Sequence, residues 1–411
     1  MPRKVHTHMR LRKALIGACA AVALFSLAGC QAVPSAQDGA AEATAGSQTT
    51  SGSAYTTLVE SFRDTDLGCG WEPVDQMDLQ YAQCFTIDTY EGGYQLACLA
   101  DGQRYLMVPE GAEPPEGLAD DIMVIQKPVG DVYLVASDSL CLFEALGSLD
   151  RISVSGIERD DWHSAAMREA MDSGGIVYGG KYRSPDYELL VSRGVRLAVE
   201  STMVNHVPDV REKLIELGIP VLVELSSYES EPLARAEWVR LYGALLDEDE
   251  LATAAFQEQV DQVGSVDPEP TGKTVAFFYL NSAGAAVVRR PGDYVTRMIE
   301  QAGGTYAFDD LPTAKAGSSS MTLQMEQFYA TAKDADVIVY NGAIDDGVET
   351  LDDLLARNEL LADCKAVREG EVWVTDQDMY QRMLESGAII ADLAQALRGA
   401  QGDLTYLRRL T

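Results

Sequence analysis

The feature that most constrains the fold is an alternation of short apolar runs with amphipathic stretches, which begins near Ile122. Four of these runs predict strands: residues 131–136, 151–156, 196–201 and 220–225. The stretches between them have helical periodicity, and several end in glycine, as helices commonly do. Short apolar strands that alternate with helices predict a parallel sheet covered on both faces. The pattern therefore predicts an α/β lobe over residues 121–231.

A long helical stretch follows this lobe, running from residue 232 past Asp247 to residue 260, and two prolines end it. A second set of apolar runs comes next: residues 274–280, 336–341 and 371–376. Helical patterns again separate these runs, which predicts a second α/β lobe. We therefore expect a bridging helix region at 232–263 and a second lobe at 264–411.

The segment before the first lobe has a different pattern. Residues 81–109 read as three short alternating runs separated by glycine-containing turns. Alternation with such turns predicts a small β-meander. We expect a β-rich N-terminal addition over residues 55–120, and the sequence assigns it no function.

The N-terminus has the features of an export signal. Residues 1–13 carry five basic residues and no acid, and residues 14–27 are almost wholly apolar. This run of about 14 residues is shorter than the roughly 20 of a membrane-spanning helix. It ends in Leu27-Ala28-Gly29-Cys30, which resembles a bacterial lipobox and predicts a signal peptide over residues 1–29 with lipidation at Cys30. The alternatives are an ordinary cleaved signal with a chance cysteine or an uncleaved anchor.

Residues 30–54 are rich in Ala, Gly, Ser, Thr and Gln and almost lack large apolar groups, which predicts a flexible tether. Loss of the signal would leave 27 basic residues, the 32 of the whole chain less five, against 64 acidic ones, a net charge of −37. Such a surface disfavours nucleic acid as a partner. We expect a protein anchored by lipid on the outer face of the cytoplasmic membrane.

Five cysteines remain after the signal and Cys30: Cys69, Cys84, Cys98, Cys141 and Cys364. An extracytoplasmic location permits disulfides, and an odd number leaves at least one thiol free or paired elsewhere. The first three lie close in sequence, so a bridge among them is an expectation, with the pairing open. No Cys-x-x-Cys spacing occurs, so neither a zinc nor a redox motif is predicted.

Four segments in order carry a resemblance to a known family: residues 179–202, 214–224, 237–259 and 295–308. Behind a lipobox, they are similar to the solute-binding proteins of metal-chelate ABC importers, the class III periplasmic-binding-protein family. The resemblance spans about residues 125–400 and departs at Tyr306, where the family usually has Asn. It implies two Rossmann-like α/β lobes with parallel sheets, joined by one long helix, that move little. It also implies a ligand that is a ferric siderophore, haem or cobalamin, in that order.

Loops that follow parallel strands face the cleft between two such lobes, where ligands bind. In the first lobe this rule selects Trp162, Tyr178, Lys181, Tyr182, Arg183, Thr202, Met203 and His206, and also Ser137 to Ser139. In the second lobe it selects Tyr279, Arg289, Arg290, Asn341 and Tyr380. Arginine suits carboxylate or catecholate oxygens, and aromatic residues supply flat contact area with a polar tip.

Each of these residues also has a structural interpretation. Arg289 and Arg290 could pair with surface acids, and Tyr178 and Tyr279 could be core residues at strand ends. His206 precedes Val207-Pro208 at a helix start, so an exposed residue near the helix cap is favoured over an iron or haem ligand. Met203 would more often pack than bind a metal.

The resemblance implies a second surface, through which one glutamate on each lobe pairs with arginines of the permease. The matching residues are Glu188 and Glu300. The expected partners are thus a metal chelate, an ABC permease with its ATPase and, through Cys30, the membrane, with the protein itself a monomer. We predict neither a catalytic residue nor a resident metal or cofactor.

Two rival functions are compatible with a two-lobed fold. A chelatase-like enzyme would use the same two-lobed fold, but only His163 and His206 remain after the signal, and no nucleophile motif occurs. An adhesin or sensor of the same fold is the other alternative, which a neighbouring permease gene would argue against.

Overall fold

The computed structural model describes residues 61–313 and 319–411. The predicted signal peptide, Cys30 and the tether over residues 30–54 lie outside the described residues. Across the described ranges, none of the helices combines the length and the apolar character needed to cross a membrane. The described chain forms three β-sheets with helices packed around two of them.

The N-terminal sheet has the strand order β1-β2-β3-β4-β5. Its strands are β1 (Asp75–Gln76), β2 (Phe85–Thr89), β3 (Gln95–Leu99), β4 (Arg104–Val108) and β5 (Ile122–Gln126). Neighbours are antiparallel except β4 and β5, which are parallel. The predicted meander is confirmed. We had expected residues 122–126 to belong to the first lobe, but they form β5 of this N-terminal sheet. An apolar run does not itself specify which strand it will pair with.

The first lobe is a parallel sheet of order β10-β9-β6-β7-β8. Its strands are β6 (Val132–Leu134), β7 (Ile152–Ser155), β8 (Val177–Tyr178), β9 (Leu197–Ser201) and β10 (Val221–Glu224). Its helices are α1 (Leu140–Ala145), α2 (Ala165–Asp172), α3 (Tyr187–Ser192) and α4 (Pro208–Glu216). Gly174, Gly194 and Gly218 follow three of them with positive φ, as predicted for helix ends.

The bridge consists of three consecutive helices: α5 (Pro232–Glu237), α6 (Val239–Leu246) and α7 (Asp249–Gly264). The sequence predicts one continuous helix here. The clearest break is at Asp247, whose backbone is left-handed with φ 60° and ψ 37°. The Asp247 carboxylate lies 2.6 Å from the Lys127 ammonium, which anchors this turn to the end of the N-terminal sheet. The helix break at Asp247 thus coincides with an ion pair to Lys127, which is far away in sequence, so local periodicity could not predict the break.

The second lobe has a sheet of order β14-β12-β11-β15-β16-β17, with β13 also paired to β11. Its strands are β11 (Thr274–Leu280), β12 (Ala286–Arg289), β13 (Thr305–Tyr306), β14 (Ser320–Leu323), β15 (Val337–Tyr340), β16 (Val372–Thr375) and β17 (Leu407–Arg409). Its helices are α8 (Tyr294–Gln301), α9 (Met325–Ala332), α10 (Leu351–Arg357), α11 (Lys365–Glu369) and α12 (Ser386–Leu397). The three predicted strands are the parallel centre β11-β15-β16.

One hydrophobic core joins the N-terminal sheet, the first lobe and the bridge, and a second core fills the second lobe. Met383 and Leu384 come from the second half of the chain but are buried in the first core. The two lobes are therefore linked by the bridge and by this short apolar segment.

The five cysteines that the structure describes are all free, so the expected bridge among Cys69, Cys84 and Cys98 is wrong. Cys84 packs into the first core, whereas Cys98 packs into a small cluster on the other face of the N-terminal sheet. The sheet therefore separates Cys84 from Cys98, because successive strand residues point to opposite faces. Cys69 packs against the same small cluster as Cys98, and both thiols are free.

Candidate functional site

A cluster of charged and aromatic side chains lies where the two lobes and the bridge meet, and we call it the junction cluster. Its members are Asp138, Arg235, Arg289, Asp293, Tyr294, Asn341 and Tyr380. Asp138 is in a turn after β6, Arg235 is in α5, and the others lie in the second lobe. Asn341 and Tyr380 follow β15 and β16, where the loop rule had placed them.

The second-lobe half of the cluster is organised around Arg289. Its guanidinium donates a hydrogen bond to the Tyr380 hydroxyl and lies 3.6 Å from the Asp293 carboxylate. The same guanidinium is 5.3 Å from the ring centre of Tyr380 and 5.9 Å from that of Tyr294. Asn341 donates from Nδ2 to the Tyr380 hydroxyl at 2.8 Å. These contacts fix a largely buried cation in one place.

The other half of the cluster is organised around Arg235 of the bridge. Its guanidinium stacks 4.1 Å from the Tyr294 ring centre and lies 3.8 Å from the Asp138 carboxylate. Ser226 donates from Oγ to Glu224 at 2.8 Å and lies 3.5 Å from Asp138. Burial, together with the nearby Asp138 carboxyl, raises the pKa of Glu224 well above its ordinary value. The ring of Tyr294 thus lies near both guanidiniums, 4.1 Å from that of Arg235 and 5.9 Å from that of Arg289.

Two polar atoms of the junction cluster have no hydrogen-bond partner among the described residues. They are Nε of Arg235 and Oδ1 of Asn341, on residues only 6% and 1% exposed. The Tyr380 oxygen already accepts from Arg289 and Asn341, and its own proton has no acceptor in the described chain. Turning the Asn341 amide over would satisfy that proton and leave its NH₂ unpaired. A buried unpaired polar group costs about 1–3 kcal/mol, so this pattern is typical of a site that a ligand completes.

The predicted first-lobe residues lie at the carboxyl ends of β8 and β9. Tyr178 and Met203 are exposed by 39% and 42%, and His206 is also exposed, whereas Thr202 is half-buried. Large apolar side chains with this exposure offer contact area that the fold does not use.

The loop after β8 carries the cations predicted for this lobe. Arg183 donates from Nε to the Tyr182 hydroxyl at 2.6 Å and lies 5.1 Å from its ring centre. Lys181 is 3.4 Å from the Glu158 carboxylate in the loop after β7. Both cations are exposed, so both remain accessible to an anion.

Glu200, next to these loops, was not predicted. It is 0% exposed near the end of β9, and neither of its carboxyl oxygens has a partner in the described part of the chain. Burial raises the pKa of Glu200 to about 8. Its charge would act on the Tyr133 hydroxyl, which donates to the Gly180 carbonyl at 2.7 Å, one residue before Lys181. The carboxyl thus lies beneath a predicted ligand loop.

Two of the predicted ligand residues are placed elsewhere. Trp162 is fully buried, and its indole donates to Ser155 Oγ at 3.0 Å, so it is a core residue and not part of a cleft surface. Arg290 donates to the carbonyls of Ser320 and Pro312, because adjacent strand residues point to opposite sides and Arg289 takes the junction side.

The remaining predicted residues keep their positions without joining the cluster. Tyr279 is half-buried against the second core. Glu188 and Glu300 are both exposed, and Glu300 pairs with Arg297 at 2.8 Å. Sequence reasoning missed Arg235 and Tyr294. The only signal for Arg235 was a cation within the otherwise apolar start of the bridge.

A cavity of about 360 Å³ lies beside the junction cluster and draws its lining from both lobes. His163 comes from the first lobe, and the second lobe contributes Asp346, Glu349, Asp376, Asp378 and Arg408 among others. No group of three or more metal-ligating side chains occurs in the residues that the structure describes. The acidic lining makes the cavity unsuited to an anion, unlike the donors of the junction cluster.

Comparison with known proteins gives a consistent result. A family model described as periplasmic binding protein matches residues 136–379. An uncharacterised lipoprotein of Methanocaldococcus jannaschii is 27% identical over 331 residues, which cover 76% of this chain and 77% of that protein. A second lipoprotein of the same organism is 24% identical over 352 residues, covering 81% and 86%.

Two solved structures show the same fold. The petrobactin-binding protein of Bacillus subtilis aligns with a TM-score of 0.53 at 12% identity, covering 79% of this chain and all of that one, 100%. A periplasmic haem-binding protein of Pseudomonas aeruginosa aligns with a TM-score of 0.52 at 17% identity, covering 68% and 97%. The predicted fold of two α/β lobes with parallel sheets is confirmed.

Proposed function

The chain belongs to the periplasmic binding protein family, and from that premise we propose that it is an extracytoplasmic solute-binding lipoprotein of an ABC importer. Its ligand is an anionic metal chelate, with a ferric siderophore first and haem or cobalamin as the alternatives. The petrobactin- and haem-binding proteins among the similar structures support this ligand class. Capture requires no covalent step, so we assign no catalytic residue and no resident cofactor.

The observation that carries this proposal is the pair of unpartnered polar atoms in the junction cluster, Arg235 Nε and Asn341 Oδ1. Arg235 comes from the bridge and Arg289 from the second lobe, and both face the ring of Tyr294. Guanidinium groups bind carboxylate and catecholate oxygens through paired hydrogen bonds, and aromatic rings stack on flat ligands. A ligand with acceptor oxygens would satisfy Arg235 Nε, which the protein leaves unpaired.

The cations and exposed aromatic residues of the first lobe would hold the other side of the ligand. Lys181 and Arg183 are exposed on one loop, beside the exposed Tyr178. Siderophores and porphyrins are large enough to contact more than one loop. We therefore propose that the ligand is bound between this loop and the junction cluster.

Delivery to the permease would use a separate surface. We propose that the exposed carboxylates of Glu188 and Glu300, one on each lobe, orient the loaded protein on the permease. Two separated ion pairs fix an orientation even though each is weak. A diacyl anchor on Cys30 and the tether would keep the protein within reach of that partner.

The test is binding by the purified mature protein. Native mass spectrometry of protein taken from its source should show a retained chelate. A thermal-shift panel of ferric catecholate, ferric hydroxamate, haemin and cobalamin should identify its class, since ligand at 100 times Kd stabilises by about 2.7 kcal/mol. The metal-free siderophores are the matched controls. Absence of binding to every chelate in both measurements would overturn the proposal.

A further inference from the structure

The side chain of Gln381 joins the two lobes through two hydrogen bonds. Its Nε2 donates to the carbonyl of Asp161 at 3.0 Å, and its Oε1 accepts from the backbone N–H of His163 at 3.1 Å. Gln381 lies in the turn after β16 of the second lobe, whereas Asp161 and His163 follow β7 of the first. The side-chain amide of Gln381 thus bonds one carbonyl and one N–H of the first-lobe backbone, as the backbone of a neighbouring strand would.

The first-lobe end of this contact is rigid. Trp162 lies between the two bonded residues, is fully buried, and donates its indole N–H to Ser155 at the end of β7. The buried ring therefore fixes the backbone that Gln381 contacts. This gives Trp162 a role next to the lobe junction without any contact to ligand.

The second-lobe end is connected to the junction cluster. Tyr380, the preceding residue of the same turn, accepts hydrogen bonds from Arg289 and Asn341. Two residues further along, Met383 is 3% exposed in the first core. The turn is thus held by the first lobe on one side and by the junction cluster on the other.

We propose that Gln381 is a positioning residue: its amide latches the second lobe to the first and so fixes the place of Tyr380 in the junction cluster. Loss of the latch frees the turn, and a ligand bound beside Tyr380 then escapes more easily. The effect on a ligand rests on the proposed function, whereas the latch itself can be tested in the ligand-free protein.

The direct measurement is amide hydrogen exchange at His163, because His163 is exposed and its N–H has no other acceptor in the described chain. Gln381→Ala should speed exchange at this amide at least tenfold without ligand. Gln377→Ala, a change at an exposed residue of the same loop, should leave it unchanged. Equal exchange in both variants and the unaltered protein would overturn the latch.

The variant Gln381→Glu tests whether the two hydrogen bonds themselves protect the His163 amide, as opposed to a general loss of structure in the variant. The ionised carboxylate can accept from His163 but faces the Asp161 carbonyl without a donor, so protection should be partial at pH 7. A protonated carboxyl supplies both a donor and an acceptor, so protection relative to Gln381→Ala should return as the pH falls through about 4.3. Protection that does not recover at low pH would contradict the two-bond geometry.

The ligand arm uses the chelate that binds best in the panel, with haemin as the first probe. Gln381→Ala should raise its dissociation rate about tenfold while Gln377→Ala does not. If Gln381→Ala speeds His163 exchange but leaves the dissociation rate unchanged, then Gln381 only holds the two lobes together. The proposal that it positions Tyr380 for the ligand would then be wrong. If the unaltered protein binds no chelate, the proposed function fails, and the exchange experiment still decides the latch.

Discussion

Two glutamates with the same burial have opposite environments. Glu237 on the bridge and Glu200 on β9 are both 0% exposed. The Glu237 carboxylate accepts three backbone N–H groups at 2.7–2.8 Å, from residues 80–82 just before β2. Nearby, Glu229 accepts from the backbone of Gln83 and Cys84. Glu200 accepts no hydrogen bond from any described residue.

The difference separates a region whose buried carboxylates are paired from the region in which we propose that the ligand binds. Where Glu237 and Glu229 meet the N-terminal sheet, acceptors and donors satisfy one another, and these hydrogen bonds fasten that sheet to the bridge. Beneath the ligand loops and in the junction cluster, buried polar atoms stay unpaired, which costs stability that the rest of the fold offsets. This gives the N-terminal sheet a role that the sequence did not indicate: it braces the bridge.

The largest expected effect comes from removing the Glu237 carboxylate that accepts the three N–H groups of residues 80–82, which we call the Glu237 clamp. Glu237→Ala leaves three backbone N–H groups without an acceptor, at about 1–3 kcal/mol each, so the free energy of unfolding should fall by about 5 kcal/mol. Urea denaturation followed by circular dichroism measures this. Glu237→Gln keeps one acceptor oxygen and should lose less, which preserves a measurement if the alanine variant does not fold.

The matched control is Glu258→Ala, an exposed glutamate on α7, the last helix of the bridge. It should change stability by less than about 0.5 kcal/mol. A loss for Glu237→Ala no greater than that of this control would show that the clamp is not structural.

A smaller effect with a pH signature is expected at Glu200. Its pKa is raised from 4.5 to about 8, so the native state keeps a proton that the unfolded chain loses. The contribution of Glu200 to the free energy of unfolding should therefore fall as pH rises from 4.5 to 8 and then level off. Glu200→Gln removes this penalty and should stabilise the protein by up to about 5 kcal/mol at pH 9, but hardly at pH 4.

Urea titrations of both proteins at pH 4, 6, 8 and 9 test this. Glu188→Gln, an exposed carboxyl in the same lobe, is the control and should show no such difference. Equal stability differences at all four pH values would mean that Glu200 is ionised and paired, and the contrast with Glu237 would disappear.

The next effect is on affinity. Arg289→Ala should weaken an anionic chelate at least tenfold, about 1.4 kcal/mol, because it removes a guanidinium held in the junction cluster. Arg290→Ala is the neighbouring control, since its guanidinium contacts backbone carbonyls elsewhere. Isothermal titration with the chelate from the panel measures both. An equal loss from the two variants would mean that a general positive charge is responsible, and not the junction cluster.

The sequence predicted the strands that have a local apolar signature and missed those whose pairing depends on distant residues. The central strands β11, β15 and β16 were predicted because strands covered on both faces are apolar along their whole length. The short strands β12, β14 and β17 were missed, since they are antiparallel additions at the sheet margins. Their pairing depends on distant residues.

The site divides in the same way. Asn341 directly follows β15 and Tyr380 lies in the turn after β16, so the loop rule found both. Trp162 satisfied the same rule and was wrong, because the hydroxyl of Ser155 offers its indole a buried partner. Arg235 could not be found, since nothing local distinguishes a bridge cation that faces the other lobe from one that faces solvent.

Exposed carboxylates form a third class beside the paired Glu237 and the unpaired Glu200. Their removal should have the smallest effect on stability and a large effect on uptake through the permease. Glu188 and Glu300 are exposed, and Glu300 has only the exposed Arg297 as its ion-pair partner in the described chain. Such pairs are worth roughly 0–1 kcal/mol, so Glu188→Ala with Glu300→Ala should leave stability and chelate affinity almost unchanged. Uptake by cells that carry the permease should nevertheless be abolished.

The matched double variant is Glu212→Ala with Glu326→Ala, which removes one exposed carboxylate from a helix of each lobe. It changes the net charge equally, so any loss that comes from long-range electrostatic steering appears in both variants. A loss confined to the first variant requires local contacts at Glu188 and Glu300. Normal uptake by that variant would remove the docking role and leave these carboxylates as solvated helix residues, while the buried carboxyls of the bridge and of β9 keep their separate roles.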